Sequence, residues 1–128
     1  MIAAGRPVAI PDVFQTGLAT AARERGGRWY LSYNQTDDAH RIQDILTTFA
    51  WLRSQTSATP DLIGLEKAAL WVIFAAAVSR HVVNVIANVE RWEALDETLH
   101  DHCFVPGLQR TGGLDAATRV IRNIRPSL

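Results

Sequence analysis

The sequence predicts a mainly α-helical fold, a bundle organised around one long central helix at residues 60–102. Three observations support this prediction. The residues Thr, Pro and Asp at 59–61 form a helix start, no glycine or proline follows between Gly64 and Pro106, and shorter amphipathic patterns flank the stretch. One straight helix of roughly 40 residues would span about 60 Å at 1.5 Å per residue. At most one short N-terminal strand or a two-stranded ribbon is expected beside it.

The first half of the central stretch has no polar face. Residues 68–78 are eleven apolar side chains in a row, so other protein must surround them on all sides. Lys67 and the polar residues from Ser79 onward keep this run shorter than the roughly 18 residues of a membrane span. We expect the stretch to bend or break once, between Ser79 and Asn88.

The remaining elements follow from periodicity and turn residues, and together they predict a single helical domain covering residues 1–128. Thr36 is a side-chain cap for one of the helices, and Pro126 stops the last one. The predicted elements are a lead-in at 1–10, a helix at 11–25, a strand at 28–33, a helix at 37–53, the long helix or two helices at 60–102, and a helix at 114–124.

Composition and charge exclude several classes of function. Thirteen basic and thirteen acidic residues cancel, so no overall charge draws the chain to nucleic acid or to an anionic membrane. The hydrophobic fraction of 48% is that of a soluble globular protein. A single cysteine rules out an internal disulfide, and the first residues lack the apolar core of a signal peptide. We therefore expect a cytoplasmic protein without a cofactor.

A polar stripe within the central stretch predicts self-association. Asparagine in an otherwise apolar helix is costly unless it is hydrogen-bonded, and paired across a symmetric helix contact it fixes register. Trp51 lies on the polar side of the helix at 37–53, where an exposed tryptophan is typical of a contact surface. The alternative interpretation is that the stripe faces water. The predicted interface comprises Trp71, Ala75, Val78, Arg80, Asn84, Asn88, Arg91 and Trp51.

The segment His100-Asp101-His102-Cys103 holds the ligand types that zinc and related metals prefer. On a helix, residues i and i+2 point about 200° apart, so His100 and His102 would share an ion only where the helix has ended. His81, or His40 as a further support, would complete such a site from another element. The alternative is that these residues are polar groups at the end of a helix, where a protonated histidine suits the dipole.

His81 together with the adjacent pair His100-Asp101 resembles the histidine and His-Asp pair of the HD-type phosphohydrolases. That resemblance implies a helical, metal-dependent enzyme, and it rests on three residues. The family also needs a distant later aspartate, and the remaining one is Asp115, at the start of the last predicted helix. No family is identified on this basis.

These observations predict a non-enzymatic module for protein–protein interaction and oligomerisation, acting as an assembly, adaptor or regulatory subunit. Its partners would be a second copy of itself, as a homodimer or higher oligomer, and another protein. No catalytic residue is assigned. The alternative is a small helical metal-dependent enzyme or ligand-binding protein that uses His81, His100, Asp101 and His102.

Overall fold

A computed structural model of the chain describes residues 7–79, 81, 84–89, 92 and 96–126. It contains five α-helices and three β-strands within these residues. In chain order they are α1 (Tyr30–Tyr33), α2 (Asp37–Gln55), β1 (Leu62–Gly64), α3 (Ala68–Val78), β2 (Val85–Ala87), α4 (Asp96–His102), α5 (Gly113–Val120) and β3 (Ile124–Arg125).

The three strands form one parallel sheet in the order β1-β2-β3. In the central strand β2, Val85 pairs with Leu62 of β1 and Ile124 of β3, and Ile86 pairs with Ile63 and Arg125. Parallel neighbours need a crossover connection. Helix α3 makes the connection from β1 to β2, and α4 and α5 lie between β2 and β3. The prediction of an all-α helical bundle is therefore wrong, because the chain combines helices with a parallel sheet.

The long central helix at 60–102 does not form. The first part of this range contains the strand β1. Helix α3 follows and ends at Val78, because Ser79 adopts an extended backbone with ψ of 120°. The residues that follow include Val85 and Ile86, which are β-branched and favour a strand when a partner strand is beside them. An unbroken run without glycine or proline permits a helix, and pairing with β1 and β3 overrides that preference here.

The N-terminal predictions are also wrong. The predicted helix at 11–25 holds one 3-10 turn, Gly17–Ala19, because Gln15 and Gly17 have positive φ angles of 57° and 49°. In this segment a side chain replaces a helical carbonyl as the hydrogen-bond acceptor, because the Asp12 carboxylate accepts from the N–H of Leu18 at 3.1 Å. The predicted strand at 28–33 is a turn followed by the short helix α1.

Two helices lie close to their predicted positions and differ at their ends. Helix α2 begins at Asp37, where the Thr36 hydroxyl accepts from the N–H of Ala39 at 3.2 Å, and it continues to Gln55. The predicted helix at 114–124 ends early, as α5, at Val120. Its last predicted residue, Ile124, belongs to β3, because the Asn123 carbonyl accepts from the N–H of Val85 at 2.9 Å.

Helix α3 is the centre of the hydrophobic core. Its residues 69–76 are all buried, and α2, α5, β1 and β2 pack around it. The expectation that residues 68–78 would be surrounded by protein is confirmed for residues 69–76, whereas Val78 at the end of α3 is 68% exposed. No helix among the described residues has both the length and the apolar character needed to cross a membrane.

The close contact between β1 and α3 depends on Gly64. A Cβ atom at this position would lie 2.6 Å from both the Ala68 carbonyl oxygen and the Ala69 Cα, which are backbone atoms that cannot move aside. We expect Gly64→Ala to lower the free energy of unfolding by about 1 to 3 kcal/mol, as overpacking does elsewhere.

Urea denaturation measures this loss, and Gly27→Ala is the matched control because nothing lies within 4 Å of its added Cβ. Equal midpoints for the two variants would contradict the packing of β1 against α3.

Candidate functional site

The carboxyl ends of the parallel strands share one edge of the sheet, where open α/β sheets bind their ligands. At this edge β1 ends at Gly64 and a three-residue turn leads into α3. The middle residue of the turn, Glu66, has φ of 49°, a left-handed conformation that costs a non-glycine residue about 1 kcal/mol or more. Residues with strained backbone conformations are common at active sites and ligand-binding sites.

The turn has the build of the strand–turn–helix elbows that present catalytic side chains. Gly64 and Ala68 are small and stand two residues before and after Glu66, which allows strand and helix to approach closely. The turn is closed by two backbone hydrogen bonds, from Ala68 N–H to the Leu65 carbonyl at 3.0 Å and from Ala69 N–H to the Glu66 carbonyl at 3.1 Å. Glu66 is exposed at the apex of the turn.

A buried carboxylate holds three parts of the chain together. Asp38, in the first turn of α2, accepts from the indole N–H of Trp71 at 2.8 Å and from the Arg41 guanidinium at 2.8 Å. Its second oxygen accepts from the backbone N–H of Phe104 at 2.9 Å. Asp38 therefore joins α2 to α3 and to the segment after α4. Three donors satisfy a charge that would otherwise be costly to bury.

Arg41 and Thr36 extend this network. The Arg41 Nε donates to the Phe14 carbonyl at 3.0 Å, and its guanidinium carbon lies 4.8 Å from the centre of the Trp71 ring. The Thr36 hydroxyl donates to the Phe104 carbonyl. The sequence offered one signal for this role, an acidic residue in the first turn after a helix cap. That pattern occurs at many exposed helix starts and does not by itself indicate burial.

Cys103 is buried beside this network and is only 2% exposed. Burial, together with the negative charge of Asp38, raises the pKa of its thiol to about 12. The thiol is therefore protonated at neutral pH. Because the thiolate is the form that attacks electrophiles and binds metals, Cys103 has a packing role in this fold.

The predicted histidine site does not assemble among the described residues. The His100 ring lies 4.7 Å from the Phe104 ring, and its Nδ1 is 3.5 Å from an Asp101 oxygen. The His102 ring packs edge-on against Trp92 at 4.9 Å. His81 is exposed, and His40 packs on Phe14 at 4.5 Å. Within this part of the chain, no group of three or more His, Cys, Asp or Glu side chains is placed to hold a metal ion.

The predicted interface residues separate into different environments. Trp71 and Ala75 belong to the core of the chain itself. Val78 and Trp51 are 68% and 58% exposed, and Asn88 is also exposed. Arg80 and Arg91 lie outside the described residues. The exposed members remain available to a partner, whereas the buried ones contact other parts of this chain.

Asn84 lies in a polar ladder at the amino edge of the sheet. Its amide nitrogen donates to the Asp61 carboxylate at 2.8 Å, and its amide oxygen accepts from Asn123 at 2.7 Å. Each of the three residues directly precedes a strand, so the ladder crosses the sheet at the beginning of β1, β2 and β3. Asn84 therefore holds the strands in register within the chain, a role that periodicity alone did not indicate.

A cleft of about 240 Å³ lies between α4 and the loop that follows it. Its floor is apolar, formed by Leu99, Cys103, Val105 and Leu108, and its lining also includes His100 and Arg110. The predicted metal cluster contributes His100 and Cys103 to this cleft, whereas Arg110 had no role in the sequence prediction.

Comparison with known proteins adds no assignment. No protein-family model, no curated protein and no solved structure matches this chain.

The three hydrogen bonds to Asp38 predict a large effect of its removal. In Asp38→Ala the indole N–H of Trp71, the N–H of Phe104 and the Arg41 guanidinium lose their buried acceptor. We expect a loss of about 3 to 5 kcal/mol in the free energy of unfolding, measured by urea denaturation.

Asp115→Ala is the matched control because it removes another aspartate that pairs with an arginine on a helix. The Asp115 and Arg119 side chains are 83% and 79% exposed, so this loss should stay below about 1 kcal/mol. Similar losses in the two variants would show that Asp38 does not join the three segments.

Proposed function

We propose that this chain is a non-enzymatic protein–protein interaction module that pairs with a second copy of itself and serves as an assembly, adaptor or regulatory subunit. The observation that carries the proposal is the second face of the sheet. Parallel sheets in proteins are normally covered on both faces. Of the described helices, α3 is the one that packs closely on β1 and β2.

The alternation of the strands defines the two faces. Gly64 faces α3, because a Cβ there would meet Ala68 and Ala69, and its paired residue Ala87 is buried on the same side. Ile63 and Ile86 are paired neighbours that point to the other face. Both are partly exposed, and among the described residues neither belongs to the hydrophobic core or packs against it. Within the part of the chain that the structure describes, two adjacent isoleucines are thus left for another surface to cover.

A second copy suits this face better than a charged partner. The face is apolar across β1 and β2, and Arg125 of β3 is the residue paired with Ile86 at its far side. An apolar patch that meets its own copy around a two-fold axis is self-complementary, and a net charge of zero adds no repulsion. Four further large apolar residues of the chain are also exposed, namely Trp29, Leu31, Tyr33 and Trp51. A cytoplasmic location is part of this proposal, supported by the single cysteine.

Light scattering over a range of concentrations tests the pairing. We expect a dimer for the wild type, and we expect Ile63→Lys to raise the dimer dissociation constant at least about 30-fold, the loss of a central interface residue. Val120→Lys introduces the same charge at an exposed apolar residue of α5 and should leave the dimer unchanged.

Circular dichroism checks that both variants keep their fold. A wild type that is monomeric at every concentration would contradict the proposal, as would an Ile63→Lys variant that is folded and fully dimeric.

The strained turn favours a second candidate function, an esterase in which the Glu66 carboxylate is the nucleophile. The carboxylate would attack the acyl carbon of an ester and release the alcohol or phenol. Water would then hydrolyse the mixed anhydride and restore Glu66. A positive φ at the apex of a strand–turn–helix elbow at the carboxyl edge of the sheet is the observation that supports this candidate.

Hydrolysis of 4-nitrophenyl acetate tests it together with stability. We expect Glu66→Gln to abolish the reaction above the rate in buffer, and Glu66→Gly to abolish it while raising the free energy of unfolding by about 1 kcal/mol, since glycine adopts positive φ without strain. Glu24→Gln, in the exposed segment before α1, is the control. A Glu66→Gln variant as active as the wild type would exclude this candidate.

A further inference from the structure

We infer that the cleft between α4 and the loop at 104–110 binds a small organic carboxylate that has an apolar body. This is a site separate from the face proposed for self-association and from the Glu66 turn. The inference rests on three features of the cleft, which are its apolar floor, the charge of its lining and its size.

The floor is fitted to a hydrocarbon group. Leu99 and Cys103 are buried in the core, and Val105 and Leu108 pack against that core, so four apolar side chains form the base of the cleft. Cys103 contributes a neutral surface because burial raises the pKa of its thiol. The loop turns back over this floor at Gly107, whose φ is 85°. An inorganic anion would gain nothing from such a base, whereas an aromatic or aliphatic group would be removed from water.

Arg110 gives the lining a positive charge. His100 also lines the cleft, and among the residues whose side chains the structure describes no Asp or Glu does so. Within the described part of the chain, the Arg110 guanidinium has no ion pair or hydrogen bond, so it is available to a ligand. Asp101 lies 3.5 Å from Nδ1 of His100, outside the lining.

The positive charge of the Arg110 side chain favours a ligand that carries a carboxylate. A guanidinium binds a carboxylate with two parallel hydrogen bonds, and the fit is shape-specific as well as electrostatic. The volume of about 240 Å³ is slightly below that of pockets for drug-sized molecules, so the ligand is a small one with a single ring or a short chain. Benzoate has these properties and serves as the probe.

Titration with benzoate, followed by two-dimensional nitrogen–proton NMR of the folded chain, tests the site. We expect saturable shifts at Leu99, Gly107 and Arg110, and at least about tenfold weaker binding of the neutral amide, benzamide. Arg110→Gln should weaken benzoate binding at least about tenfold, the loss of a charge-assisted hydrogen bond. Arg122→Gln, an exposed arginine outside the cleft, should leave the dissociation constant unchanged.

A second variant tests the floor. Leu108→Trp fills the cleft and should abolish the benzoate shifts while NMR shows that the fold is kept. Several outcomes would overturn the inference: no saturable shifts with benzoate, equal affinities for benzoate and benzamide, equal effects of Arg110→Gln and Arg122→Gln, or inorganic phosphate binding at the cleft as tightly as benzoate. The monomeric variant Ile63→Lys should bind benzoate like the wild type, so this result is independent of self-association.

Discussion

The absence of any polar face on α3 is the constraint on which the rest of the structure depends. Eight consecutive apolar side chains of this helix, residues 69–76, are buried, and at roughly 25 cal/mol per Å² their burial is a large part of the energy of the core. One helix, α2, covers part of this surface, α5 covers another part, and the strands β1 and β2 cover a third. The helices α2 and α5 do not enclose α3 by themselves, and the parallel sheet covers the part of its surface that they leave.

Apolar burial of α3 leaves the orientation of its neighbours undetermined, and the Asp38 carboxylate supplies that orientation. One Asp38 oxygen accepts a hydrogen bond from α3 at 2.8 Å, and the other accepts one from the segment after α4 at 2.9 Å. Hydrogen bonds are directional where hydrophobic contact is not. The arrangement of α2, α3 and the segment at Phe104 is therefore defined by polar geometry inside an apolar core.

The two edges of the sheet differ in chemistry. At the amino edge, Asp61, Asn84 and Asn123 bind one another and keep the strands in register. At the carboxyl edge, Glu66 stands in a strained turn and is exposed. The polar side chains at the amino edge thus bind one another. At the carboxyl edge, the backbone of Glu66 has a conformation that lowers the stability of the fold.

The sequence by itself determined the local features of this protein. The burial of residues 69–76 follows from their composition, and the beginning of α2 follows from the Thr36 cap, because both depend on neighbouring residues alone. Tertiary structure decided the strands, which are three, three and two residues long and too short to show a period of two. Their pairing joins residues far apart in sequence, such as Leu62 with Val85 and Val85 with Ile124. Asp38 likewise meets partners 33 and 66 residues away, and no local pattern contains the position of a distant donor.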